Sequence, residues 1–123
     1  MSYIRHFRSL SSIFAFGCFC FTYPFAANAF ETVSVPTDAK ASYVMKIIDV
    51  GLGKNTLAVL TRRVGSSGTS WAIREVNCSS QKFRYMGEGD TLDEVIASID
   101  DRGKMSGLVT GSISYHIVQA ACK

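Results

Sequence analysis

The sequence predicts a single α+β domain, in which a small antiparallel β-sheet carries a short helix and a C-terminal helix tied by one disulfide. Three observations support this fold class. Runs rich in β-branched and aromatic residues follow one another with only short Gly- or Ser-containing turns between them, which is typical of antiparallel strands. A capping box then precedes a short apolar run with helical spacing. Two cysteines also lie in the middle and near the end of the domain, where they could form one bridge.

Residues 1–29 differ in composition from the rest of the chain. They contain no Asp or Glu, and Arg5 and Arg8 precede an apolar run that ends at Ala27–Asn28–Ala29. A basic start, an apolar stretch and an A-x-A site are the three parts of a secretory signal peptide. We therefore predict cleavage at the end of this segment, export to the periplasm, the cell surface or the medium, and a single mature domain over residues 30–123.

Two other interpretations of this leader remain open. A retained membrane anchor needs roughly 20 apolar residues, and polar residues or proline interrupt this run at Ser9, Ser11, Ser12, Thr22 and Pro24. A lipoprotein signal would use Ala15–Phe16–Gly17–Cys18, in which Phe is poor at the middle position. Under either interpretation, this segment alone would contact the membrane.

Removal of the leader also changes the charge of the protein. The full chain has 13 Lys and Arg against 10 Asp and Glu, and loss of Arg5 and Arg8 leaves 11 against 10, or +1. A nearly neutral domain lacks the strong positive potential that nucleic acids or anionic membranes require. We therefore expect a protein partner, such as a matrix or envelope protein, and no nucleic acid.

The cysteines divide between the leader and the mature domain. Cys18 and Cys20 lie in the leader, whereas Cys78 and Cys122 remain after cleavage. In an oxidising compartment these two allow one pairing, which would close a loop of about 44 residues and stabilise the fold by ~4 kcal/mol. The alternative is a pair of free thiols for redox or metal chemistry. The chain has no C-x-x-C motif, and His116 is the one histidine of the mature domain.

Five runs have strand character, and they cover residues 32–35, 42–50, 55–63, 69–78 and 81–86. In the fourth run, Trp71 and Ile73 share a face while Val76 falls on the opposite one. Either both faces of the sheet are covered, or a bulge near Arg74–Glu75 resets the register. In the fifth run, basic and aromatic residues alternate, and we expect its basic face to be exposed.

Two segments have helical character. Thr91 and Glu94 form a capping box, and apolar residues follow at helical spacing, which predicts a helix over about 91–99. The segment 112–122 alternates like a strand but also carries a helical apolar stripe behind a possible N-cap at Ser112. Its Ala-rich end and terminal position favour a helix, with a strand as the alternative.

None of the motifs indicates catalysis. Gly51–Thr56 resembles a phosphate-binding loop, but it lacks the first glycine and precedes a strand, so a hairpin turn is predicted. Ser112 and Ser114 lie near His116, with Asp100 and Asp101 upstream, but no nucleophile-elbow sequence is present, and Ser114 and His116 would share a face only in a strand. Carboxylates cluster at Glu88, Asp90, Asp93 and Glu94. Glu88, Asp90 and the Thr91 hydroxyl could form a weak calcium site, although helix capping explains Thr91 and Glu94 without a metal. We therefore predict no catalytic residue, no metal and no cofactor.

One candidate binding surface combines basic and aromatic side chains from neighbouring strands. Its members are Arg62, Arg63, Lys82, Arg84 and Tyr85, with Trp71 nearby. If the strands pair as expected, such a surface would suit an acidic protein partner. The alternative is an ordinary solvated sheet face.

The mature chain resembles the surface-adhesin protein E type of small exported bacterial domain. The likeness covers roughly residues 43–123 and consists of an alternating segment ending in a cysteine (72–78), an Arg-Tyr strand (83–85) and a Ser-led segment that closes on a second cysteine (111–122). It implies a small antiparallel sheet, a disulfide-tied C-terminal helix, no enzymatic activity, and binding of host matrix and serum proteins. The sequence departs from the family in its poor lipobox, and no ligand-binding residue can be matched.

These observations predict an exported, non-enzymatic binding protein of the bacterial cell envelope with an adhesin-like role. A different class of function is also open, namely a periplasmic inhibitor or immunity-type protein that blocks a partner enzyme with the polar tip Gly65–Gly68. A small hydrolase built on His116 is the third hypothesis, and it lacks a recognisable nucleophile–base pair.

Overall fold

The computed structural model describes residues 29–49, 55–100 and 103–123. The predicted signal peptide, except its last residue, and most of the predicted turn 51–55 lie outside these ranges. The strands are β1 (Glu31–Val33), β2 (Ser42–Ile48), β3 (Thr56–Gly65), β4 (Gly68–Asn77), β5 (Lys82–Gly89) and β6 (Ser106–Gly107); the helices are α1 (Leu92–Ala97) and α2 (Ile113–Ala121), and Pro36–Asp38 form a 3₁₀ turn. Within the described ranges, no helix is long and apolar enough to span a membrane.

The six strands form one antiparallel sheet in the order β1-β2-β3-β4-β5-β6. Each strand pairs with the next strand in the chain, because short connections favour pairing between sequence neighbours. The predicted α+β fold class is therefore confirmed. The two-residue strand β6 was not predicted.

Helix α2 covers one side of the sheet, here called the α2 face, which carries Tyr43, Met45, Val59 and Val76. Ile117 and Val118 of the helix are fully buried against these residues. The Ser112 hydroxyl caps the helix by accepting from the Tyr115 N–H. The segment is thus a helix, as favoured above, and its apolar stripe rather than its alternation determines the conformation.

The predicted disulfide is present. Cys78 follows the end of β4 and Cys122 follows the end of α2, and their Cα atoms lie 5.5 Å apart. The bridge spans 44 positions of the sequence and fixes the C-terminal end of α2 to the central strand. It therefore holds the helix on the α2 face at the end where Val76 is buried.

Helix α1 covers part of the opposite side, here called the α1 face, which carries Ala58, Leu60, Ile73 and Met86. The predicted N-cap is confirmed, because Thr91 Oγ1 accepts from the Glu94 N–H. The return bond of the capping box differs, since Glu94 Oε2 accepts from the N–H of Asp90, one residue before the N-cap. Of the predicted apolar stripe, Val95 alone is buried. Three other members of the stripe are exposed, namely Leu92, Ile96 and Ile99.

The pairing of β4 with β5 explains why Ile73 and Val76 fall on opposite faces of β4. Ile73 pairs with Gly87 and Arg74 pairs with Tyr85, so the register shifts between Ile73 and Arg74 and the extra residue, Met86, lies on β5. Strand β4 therefore keeps strict alternation, and Ile73 and Val76 are buried on opposite faces. Both sides of the sheet are covered, which was the first of the two interpretations.

The expectation of an exposed basic face on β5 is wrong for Arg84. This residue is only 7% exposed, whereas Tyr85 on the other face is 45% exposed. Arg84 forms an ion pair with Glu75 and donates from Nη1 to the Asp100 carbonyl oxygen. The chain leaving α1 therefore covers this side of β5, and alternation within the strand could not reveal that cover.

Candidate functional site: a buried arginine beside an open cavity

The structure does not bring the predicted basic–aromatic residues together. The register places Arg62, Lys82 and Arg84 on the α1 face, and Arg63 and Tyr85 on the α2 face. Neighbours along a strand point to opposite sides of a sheet, so Arg62 and Arg63 could not share a surface. The predicted surface is thus divided between two faces.

On the α1 face, Arg62 is also far from Lys82 and Arg84. Arg62 is exposed and its guanidinium lies 5.7 Å from the centre of the Trp71 ring. Arg62 pairs with Trp71, whereas Lys82 pairs with Asn77. Six residues of extended strand span about 20 Å, so these two cations do not form one patch.

A different site lies on the α2 face, where the helix leaves part of the sheet uncovered. The helix begins at Ile113, and a cavity of about 400 Å³ lies beside this first residue. Strands β2 to β5 line it, and its lining includes Tyr43, Thr61, Arg63, Arg74, Tyr85 and Ile113. A volume of this size is typical of small-molecule sites, which occupy roughly 300–1,000 Å³.

Arg74 is the most unusual residue of this cavity, because it is a charged group that is only 4% exposed. Its Nε donates to Ser114 Oγ at 3.1 Å, Nη1 to Thr61 Oγ1 at 2.7 Å, and Nη2 to the Tyr85 hydroxyl at 3.1 Å. All three acceptors are neutral hydroxyls. Among the residues that the structure describes, no carboxylate pairs with Arg74.

The Tyr85 ring supplies a further contact to Arg74. The guanidinium carbon lies 4.7 Å from the ring centre, a distance at which a cation is attracted to the aromatic face. Neither this contact nor the hydroxyl groups carries a full negative charge. Buried charges in proteins are usually paired with an opposite charge. The positive charge of Arg74 is instead stabilised only by dipoles.

Arg63, the other cation of the cavity, is neutralised. Its Nε donates to Asp38 Oδ2 at 2.9 Å and to the Tyr43 hydroxyl at 3.1 Å. The hydrogen bond from Arg63, followed by that from Tyr43, lowers the pKa of Asp38 below its ordinary value. Burial, followed by the hydrogen bond to Asp38, raises the pKa of Tyr43. Of the two cations that line the cavity, Arg74 is therefore the one without a carboxylate partner among the described residues.

The cluster around Arg74 has more hydrogen-bond donors than acceptors. A guanidinium has five N–H groups, and three of the five in Arg74 meet hydroxyl oxygens. Tyr85 and Ser114 lie 3.0 Å apart, so one hydroxyl donates to the other and the remaining hydroxyl proton is available. This arrangement suits a ligand that brings acceptor oxygens and negative charge.

Carboxylates line another part of the cavity, where Glu88 and Asp90 lie at the end of β5. The Asp90 N–H donates to Glu94, as part of the helix cap, and Glu88 is exposed. The described residues contain no group of three His, Cys, Asp or Glu side chains that could hold a metal ion. The calcium site considered from the sequence therefore gains no support.

Ser114 and His116, which were considered for catalysis, have different roles in the fold. Ser114 lies on the first turn of α2, and its hydroxyl contacts Arg74 and Tyr85. His116 lies on the same helix and its ring packs edge-on against Tyr115. Their separation by two positions would have placed them on one face of a strand, whereas the helix directs them apart.

Sequence reasoning missed Arg74, Thr61 and Ser114 as site residues. A signal was present for Arg74, since it alternates in phase with Val76 and so occupies a core-facing position of a central strand. An arginine at such a position must find partners inside the fold. Ser114 precedes the buried Ile117 and Val118 by three and four positions, which places it on the same side of a helix.

Comparison of the chain with protein-family models, with curated proteins and with solved structures finds no match. The resemblance to the surface-adhesin type therefore stays a prediction.

Proposed function

We propose that the protein is an exported, non-enzymatic binding domain of the bacterial cell envelope, with an adhesin-like role, that holds a partner at the open part of the α2 face. The observation that carries this proposal is the buried Arg74 without a carboxylate partner, next to an open cavity. A ligand carboxylate would supply the charge that the fold lacks, and charge-assisted hydrogen bonds are the stronger ones. An acidic side chain or a chain end of a partner protein could provide it.

The disulfide and the leader support the location part of this proposal. Structural disulfides persist mainly in oxidising compartments, and Cys78–Cys122 ties down the helix that borders the cavity. The predicted signal peptide would take the chain to such a compartment. The intact mass of the exported protein tests both points, since it reports cleavage at Ala29, any attached lipid and the two hydrogens lost in the disulfide.

The binding function is tested by surface plasmon resonance of the exported protein against purified extracellular-matrix, serum and envelope proteins. Arg74→Gln removes the charge, and we expect it to weaken capture at least tenfold. Arg62→Gln is the matched control, because Arg62 is an exposed arginine on the opposite face. Equal binding by both variants, or no ligand in the panel, would count against the proposal.

A second candidate is an inhibitor or immunity-type protein that blocks a partner enzyme with the tip between β3 and β4. The tip extends beyond β5, because the last pair between β4 and β5 joins Trp71 to Gly89. Ser66 and Ser67 at this tip are exposed. We expect the double change Ser66→Glu and Ser67→Glu to abolish inhibition of an envelope hydrolase while Arg74→Gln leaves it intact; the reverse result would favour the cavity.

A further inference from the structure

The cavity carries opposite charges in two separate places. Arg74 pairs with Tyr85 across β4 and β5, while Glu88 pairs with Ala72, two positions earlier on β4. Two residues of extended strand correspond to about 7 Å. Asp90 follows directly after the end of β5, so the two carboxylates lie on the same side of Arg74. A ligand inside the cavity would therefore have the Arg74 cation at one end and the Glu88 and Asp90 carboxylates at the other.

The cationic part of the cavity is built for a carboxylate. Arg74 has unused N–H groups in a planar fork, and this geometry matches two oxygens of one carboxylate. One hydroxyl proton of the Tyr85–Ser114 pair is also available to the ligand. The hydroxyl partners hold the guanidinium in a fixed orientation, so little conformational entropy would be lost when a ligand binds.

Helix α2 adds a second attraction in the same place. The helix has nine residues and starts at Ile113, which lines the cavity. The first N–H groups of a helix have no intrahelical acceptor and carry a partial positive charge. Ser112 Oγ accepts from the N–H of Tyr115 and not from those of Ile113 or Ser114. The N–H groups of Ile113 and Ser114 are therefore not capped by Ser112, and their partial positive charge favours an anion.

Glu88 and Asp90 distinguish between possible anions. A phosphate or sulfate dianion would be attracted to Arg74 but repelled by both carboxylates, and like charges at short range disfavour binding. A ligand with a single carboxylate and a cationic group avoids this repulsion, since its cation can lie near Glu88 and Asp90. The charge pattern of the cavity is thus complementary to a zwitterion rather than to a polyanion.

We propose that the cavity binds a short zwitterionic peptide, with its free carboxylate on Arg74 and its ammonium group near Glu88 and Asp90. This proposal goes beyond the protein-binding function given above, because it assigns to the same cavity a small free ligand that carries both charges. Both termini are required, so a chain that is extended at either end binds more weakly. The cavity therefore reads the two ends of a short peptide and not an internal segment of a folded protein.

The experiment is a titration of the ¹⁵N-labelled, oxidised exported protein with the dipeptide Ala-Ala, followed by the N–H resonances of Arg74 Nε and of Ile113 and Ser114. We expect saturable shifts with Ala-Ala, and at least tenfold weaker binding of the C-terminal amide and of the N-acetylated form. Arg74→Gln should abolish the shifts. The double variant Glu88→Gln with Asp90→Asn should weaken Ala-Ala but bind the N-acetylated form at least as well as the wild type does.

Three outcomes would overturn the inference. They are equal binding of Ala-Ala and its amide, tighter binding of inorganic phosphate than of Ala-Ala, and unchanged binding by Arg74→Gln. These results are separable from the test of the proposed function. If Arg74-dependent capture of a protein partner persists while none of the dipeptides binds, the binding function stands and the zwitterion inference fails. If Ala-Ala binds as described and no protein partner is captured, the inference stands and the adhesin-like role fails.

Discussion

Two buried arginines on neighbouring strands experience opposite electrostatic surroundings. Arg84 on the α1 face is paired with Glu75 and bonded to the Asp100 carbonyl oxygen. Arg74 on the α2 face contacts three hydroxyls and an aromatic ring, with no carboxylate among the described residues. Both lose most of their contact with water, but one charge is balanced within the fold and the other is not.

This difference separates a structural role from a binding role. A buried ion pair fixes the position of the chain that covers it, and the chain leaving α1 does cover Arg84. A buried cation that is stabilised only by dipoles keeps its charge available to an incoming anion. The α1 face around Arg84 is therefore closed, whereas the α2 face around Arg74 stays open as a cavity.

Among the changes considered, loss of the disulfide should reduce the stability of the fold most, because it releases the helix that borders the Arg74 cavity. Cys78→Ser with Cys122→Ser removes a bridge that spans 44 positions. We expect a loss of about 4 kcal/mol in the free energy of unfolding, measured by urea denaturation at pH 7. Equal stability of the oxidised wild type, the reduced wild type and this variant would show that the bridge does not stabilise the fold.

The next largest effect is expected where the ion pair of the α1 face is broken. Glu75→Gln leaves Arg84 buried without a counter-charge, and such a change typically costs about 3 kcal/mol. The contrasting variant is Arg74→Met, which removes a charge that has no carboxylate partner and should change stability by less than about 1 kcal/mol, since the three hydroxyls keep other partners. Denaturation curves of the two variants test this difference. Equal losses in the free energy of unfolding would mean that the two arginines have the same role.

A smaller effect is expected from Gly89→Ala, which tests how closely α1 packs on its face. A Cβ atom at position 89 would lie 2.6 Å from Glu94 Cβ and 2.9 Å from the Val95 backbone nitrogen. We expect a loss of about 2 kcal/mol, because overpacking against backbone forces the helix to shift. Gly107→Ala is the matched control, since no atom lies within 4 Å of its added Cβ. If the two variants have the same melting temperature, α1 does not pack closely on β5.

The smallest effect is expected from acid, which breaks the ion pair between Asp38 and Arg63, the second cation of the α2 face. The pKa of Asp38 lies below its ordinary value of 3.8 because Arg63 and Tyr43 donate to its carboxylate. A lowered pKa in the folded state contributes stability above the unfolded value, and this stability is lost as the pH falls through the folded value. The melting temperature of the wild type should therefore fall more below pH 3.8 than that of Asp38→Asn. Parallel curves for the two proteins would contradict the role of this pair.

The order and type of most elements follow from local patterns in the sequence, although β6 was not predicted and a strand stayed open as the alternative to α2. Alternating runs and short turns predicted the antiparallel strands, and the capping box of Thr91 and Glu94 predicted the start of α1. The disulfide followed from counting the cysteines that remain after the leader. The strands and the helix start depend on residues within a few positions of one another, and two cysteines allow only one pairing. These features could therefore be predicted without tertiary contacts.

Tertiary structure decided which charged residues form a site. Alternation placed Arg84 opposite Tyr85, but only the path of the chain after α1 buries it beside Glu75. In the same way, Thr61 and Ser114 lie 13 and 40 positions from Arg74 in the sequence and meet it through strand register and helix packing. Pattern reasoning finds the face on which a side chain lies; burial and charge pairing depend on which distant segment covers that face. For this protein, the sequence by itself determined five of the six strands, the start of α1 and the bridge. The packing of α1 and α2 determined which arginine is neutralised and which one faces the cavity.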